Sequence, residues 1–87
     1  MARQTNTTHR PVGRIRDLRG QVVTIICDSQ YRPPLKELLY IEKNPNVRLE
    51  AYSYENDRVL RCLLLATNTV IARGDRVLST GQEITVP

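Results

Sequence analysis

From Val12 onward, apolar residues come in short runs separated by turn formers. That spacing predicts an all-β domain. A first strand is predicted over Val12–Arg16, followed by a turn at Arg19-Gly20. Gln21–Cys27 is a dense β-branched run and predicts a second strand. Pro33-Pro34 marks residues 28–34 as a loop. Leu35–Leu39 reads either as one helical turn or, shifted to Leu38–Glu42, as a strand. Asn44-Pro45-Asn46 predicts a turn.

Val47–Tyr54 alternates, with Val47, Leu49, Ala51 and Ser53 on one face and Arg48, Glu50, Tyr52 and Tyr54 on the other. Glu55-Asn56-Asp57 joins it to Arg58–Ala66 as a predicted hairpin. In that second arm Leu60, Cys62, Leu64 and Ala66 share a face, and Val59, Arg61, Leu63 and Leu65 share the other. The second face is too apolar for a wall that meets only water, so Leu63 and Leu65 are candidate contacts to another chain. Arg73-Gly74-Asp75 predicts a turn into Val77-Leu78, and Ser79–Gln82 a further turn into Ile84–Val86. About six short strands with tight turns and no long helix fit a small, six-stranded, closed antiparallel barrel. Closure removes the edges that so short a sheet would expose. Gly20, Gly74 and Gly81 each precede a strand and are expected as turn residues.

The chain has 87 residues, enough for one small domain. No run reaches the roughly 18 apolar residues of a membrane span, and the first residues lack the apolar segment of a secretory signal. Residues 1–11 are expected as a flexible tail and 12–87 as the barrel. With four Tyr and neither Phe nor Trp, the core must be built from Val, Ile and Leu. Cys27 and Cys62 lie inside apolar strands and read as buried free thiols. The net charge of +4 is uneven: residues 1–20 carry five arginines against Asp17 alone, whereas the remainder balances. The excess therefore belongs to the N-terminal region, as a solvated tail or an arm that touches something acidic.

No catalytic constellation emerges. There is no phosphate-binding loop, no nucleophile motif and no metal-ligand cluster. His9 falls in the expected tail, where no role is assigned to it. Glu37, Glu42, Glu50, Glu55 and Asp57 read as solubilising surface residues. The chain is expected to have no catalytic or cofactor-binding site of its own.

Two stretches resemble one family. Gly13-Arg14-Ile15-Arg16-Asp17-Leu18-Arg19-Gly20-Gln21-Val22-Val23-Thr24-Ile25 resembles the opening of the F-type ATP synthase β subunit. Arg73-Gly74-Asp75-Arg76-Val77-Leu78-Ser79-Thr80-Gly81-Gln82-Glu83-Ile84-Thr85-Val86-Pro87 resembles the segment that ends its N-terminal barrel. Leu35–Glu42, Leu49-Glu50 and Asn56–Arg61 are similar to the parts between. The chain departs from the family at Thr67–Ala72, which lacks the usual glycine turn. The α subunit shares the barrel, but Gln21-Val22-Val23 after Gly20 favours β.

The resemblance implies a barrel placed before a nucleotide-binding domain, in a crown that holds an α/β hexamer together during proton-driven ATP synthesis or hydrolysis. It implies neighbouring α and β subunits as partners. ATP, ADP and Mg would bind a downstream domain, and the complex would be peripheral, on the cytoplasmic side of the membrane. A rival reading is a stand-alone basic barrel that binds RNA or single-stranded DNA, kept alive by eleven arginines. The charge balance past residue 20 and the lack of an aromatic stacking motif argue against nucleic acid. A third reading is a free-standing barrel that caps or regulates the synthase.

Overall fold

The computed structural model describes residues 9–65 and 70–83, and the predicted strand Ile84–Val86 lies outside them. Six strands are present: β1 (Arg10–Arg19), β2 (Val22–Cys27), β3 (Glu37–Ile41), β4 (Asn44–Asn56), β5 (Val59–Leu64) and β6 (Arg76–Glu83). They close into an antiparallel barrel in the order β1-β2-β5-β4-β3-β6. Three hairpins supply local pairings: β1 with β2, β3 with β4, and β4 with β5. The pairings of β2 with β5, β3 with β6 and β1 with β6 join distant segments and close the ring. Every strand thus has two neighbours, which removes the free edges.

Inward side chains form one cluster. Val12, Ile15, Val23, Ile25, Leu39, Ile41, Val47, Leu49, Leu60 and Val77 are buried, with Ala51, Cys27 and Cys62 filling the narrow places. Each large aliphatic side chain contributes about 1.5–3 kcal/mol by leaving water. Both cysteines are free and buried. Burial is the main cause raising the Cys27 thiol, and it raises the Cys62 thiol strongly.

Several local expectations are corrected. The predicted tail reached residue 11, but β1 begins at Arg10, where Arg10 pairs with Ser79 and Pro11 with Leu78. Residues 1–8 lie outside the described residues. His9 is anchored, with Nδ1 2.6 Å from the Tyr40 hydroxyl. The β3–β4 turn is Glu42-Lys43, and Asn44-Pro45-Asn46 already belongs to β4. Leu35-Lys36 form a tight turn with Lys36 at φ 77°, and the strand alternative holds for the segment that follows. Ser79–Gln82 is no turn but the body of β6. Gly81, at φ 76°, bends the strand there without ending it. Gly20 (φ 60°) and Gly74 (φ 92°) do stand in turns.

The clean alternation of β4 breaks twice. Its register with β5 skips a residue between Ala51 and Ser53, and again between Tyr54 and Asn56. The first bulge turns Tyr54 inward opposite Leu60, where it packs on the core, while Tyr52 stays outside. An extra residue in one strand reverses the faces of all that follow it.

Candidate subunit-contact surface

One end of the barrel is closed by a polar clamp. The loop between β2 and β3 folds over it, burying Pro33 and half-burying Tyr31. The Tyr54 hydroxyl donates to the Pro33 carbonyl oxygen at 2.6 Å. The Tyr31 hydroxyl donates to Glu37 Oε2 at 2.6 Å, and the Ser79 hydroxyl donates to the same oxygen. Ser79 Oγ in turn accepts from the Gly81 N–H at 2.9 Å. Glu37 is therefore a buried structural residue, only 4% exposed, and not the solubilising carboxylate expected. Its cost of burial is offset by these hydroxyl donors. Burial is the first cause raising both phenols, and Tyr54 is pushed up to about 12. The arrangement stores no free nucleophile. It fastens the loop to β3, β4 and β6.

The outer wall carries the candidate contacts. Leu63 pairs with Val22 on one side and Glu50 on the other, and Glu50 pairs with Leu38. A half-buried row Val22-Leu63-Glu50-Leu38 thus crosses four neighbouring strands. Leu65 follows β5, its N–H bonded to the Arg48 carbonyl at 3.0 Å, and its side chain is 48% exposed. Arg48 pairs with Tyr40, and Tyr40 with Leu78, so a second row lies beside the first. Three of the four side chains in the first row are apolar. Sequence patterning found Leu63 and Leu65 but not Val22, Leu38 or Leu78, which join them only through strand pairing.

Gly13 was not singled out, yet it is far more constrained than Gly20 or Gly74. It is buried, and a Cβ there would overlap the Ile26 carbonyl oxygen and come within 2.8 Å of the Ile26 carbonyl carbon and 2.9 Å of the Cys27 Cα. Gly20 and Gly74 have nothing within 4 Å of an added Cβ. Only the close approach of β2 to β1 reveals this difference.

The basic residues are also redistributed. Arg14, Arg16 and Arg19 stand on β1, on the barrel wall, and Arg10, expected in the tail, stands there with them. Arg14 pairs with Asp28, Arg16 with Asp17 and Arg61 with Glu55 at 3.4, 3.4 and 3.1 Å. These pairs are exposed or half-exposed and contribute little to stability. Among the described residues no group of His, Cys, Asp or Glu is arranged to hold a metal ion, and no helix is long and apolar enough to cross a membrane.

No family model matches the chain. Curated relatives do. ATP synthase subunit beta 1 of Marinomonas sp. (strain MWYL1) is 30% identical over 86 residues, covering 94% of this chain and 18% of that protein. ATP synthase subunit beta 2 of Chlorobium luteolum is 29% identical over 79 residues, covering 91% and 17%. ATP synthase subunit beta of Acaryochloris marina is 34% identical over 55 residues, covering 63% and 12%. The chain therefore spans less than a fifth of the length of these relatives. A match along nearly the whole chain, joined to a closed six-stranded barrel, identifies the stretch: it belongs to the family of the N-terminal barrel domain of ATP synthase β subunits.

Proposed function

We propose that this barrel is a non-catalytic scaffold that docks against neighbouring α and β barrels and holds a synthase hexamer together. The observation that carries the reading is the half-exposed apolar row containing Leu63, flanked by Leu65, on the wall of a family member. A barrel whose core is already full has no internal use for this row. Burying it against a second barrel would remove apolar area from water at about 25 cal/mol per Å². Catalysis, with ATP, ADP and Mg, would belong to a separate domain. The assembly would sit as a peripheral complex on the cytoplasmic face of the membrane. Nucleic acid has no place in this reading.

The test is an assembly assay. The chain replaces the matching segment of the Marinomonas β subunit, and hexamer formation with α subunits is followed by size-exclusion chromatography. Leu63→Lys combined with Leu65→Asp keeps the net charge and sets each new charge beside an opposite one, Glu50 or Arg48. The barrel should fold, and hexamer should be lost. Normal hexamer with both substitutions in place would sink the contact assignment.

A further inference from the structure

Three residues are squeezed out of register on the strands that flank one outer wall. On β1 the pairing passes from Ile15 to Asp17, leaving Arg16 unpaired with β2. On β4 it passes from Ala51 to Ser53 and from Tyr54 to Asn56, leaving Tyr52 and Glu55 unpaired with β5. All three side chains line a single open groove. Bulges re-aim side chains, and three that converge from opposite rims make a built feature.

The groove crosses β1, β2, β5 and β4, a span of about 14 Å at the usual strand spacing. That seats about four residues of extended peptide. Val22 and Thr24 form its floor on β2. Arg16 and Arg19 stand on the β1 side, Arg61 rises from β5, and Tyr52 forms the β4 side with half its surface exposed. The Arg19 side chain makes no hydrogen bond or ion pair among the described residues, and the partners of Arg16 and Arg61 are held in weak, partly exposed pairs. Guanidinium groups so placed can turn to an incoming carboxylate and bind it through two N–H donors.

We propose that this groove binds an acidic, extended peptide segment of a partner protein, with carboxylates on Arg19 and Arg61 and an apolar side chain between Val22 and Tyr52. A phosphodiester chain fits worse. Among the described residues Tyr52 is the only aromatic side chain lining the groove, whereas a strand of bases needs successive stacking platforms. The groove shares Val22 with the Leu63 row, but its charged rim lies outside that row, so peptide binding to the isolated chain is tested independently of subunit contact.

The experiment is fluorescence anisotropy of the chain with labelled oligo-glutamate at low salt, with oligo-lysine and oligo-deoxythymidine as comparison probes. Oligo-glutamate should bind, and Arg19→Glu with Arg61→Glu should weaken it about tenfold or more. Lys36→Glu with Lys43→Glu, the same charge change on the β3 side of the barrel, should weaken it less than about twofold. Arg19→Gln, which disturbs no described contact, should shift affinity in the same direction as the double reversal. Absence of oligo-glutamate binding overturns the proposal, and equal loss in both double variants reduces it to net charge. Tighter binding of oligo-deoxythymidine overturns it in favour of nucleic acid.

Discussion

Gly13→Ala isolates the closest approach between two strands of the barrel. The new methyl would lie 2.9 Å from the Cys27 Cα, 2.8 Å from the Ile26 carbonyl carbon and closer still to its oxygen. Ordinary carbon contacts need about 3.5 Å, so β1 and β2 must part by at least about 0.6 Å at this point. All three obstacles are backbone, so no side chain can swing aside. Parting weakens the ladder at the Gly13–Cys27 pair and strains the bend beside it, where β1 also skips a residue against β6. One or two lost ladder bonds at about 0.5–1.5 kcal/mol each, with buried groups left short of partners at about 1–3 kcal/mol, give a loss of about 3 kcal/mol or more. For a domain of this size that lowers Tm by about 12 °C or more. Gly20→Ala is the control. It meets no atom within 4 Å and suffers only from its φ of 60°, a cost of about 1–2 kcal/mol. Urea unfolding followed by circular dichroism compares the two. If Gly13→Ala costs no more than Gly20→Ala, the close-approach argument is wrong.

The polar clamp gives a second prediction: Ser79→Ala removes a donor to Glu37 and the acceptor of the Gly81 N–H, and should cost about 1–3 kcal/mol in chemical denaturation. An unchanged midpoint would mean that water replaces both bonds. Alkaline pH gives a third. Folding raises Cys27 and Cys62 above their ordinary 9.0, Tyr31 above 10.0, and Tyr54 from 10.0 to about 12. The folded chain therefore holds more protons than the unfolded one above about pH 9. This contribution is complete below that pH and is lost as pH climbs toward 12, so Tm should fall steadily over the window. A flat Tm from pH 9 to about 11 would refute it. The assembly assay on Leu63 and Leu65 and the peptide titration at Arg19 and Arg61 complete the set.

Strand content and the hairpin of β4 with β5 were legible because they depend on residues close in sequence. So were the inward set Leu60, Cys62 and Leu64 and the outward Leu63. Glu37 was misread because its donors Tyr31 and Ser79 come from a loop and a strand that only barrel closure brings to it. Ser79-Thr80-Gly81-Gln82 has turn composition, yet pairing with β3 holds it extended. Arg10 read as part of the tail because composition cannot see that Arg10 and Pro11 pair with β6.

What the chain alone determined is the local part: short β runs, their turns, the faces of each uninterrupted strand and the family likeness. Those follow from a side-chain period of two and from backbone preferences that act over a few residues. Only the tertiary structure decided where that period breaks, at Arg16, Tyr52 and Glu55, and which distant side chains then share a groove. The reason is geometric. Closing six twisted strands into a ring requires local mismatches in pairing, and their positions depend on both partners of a ladder at once.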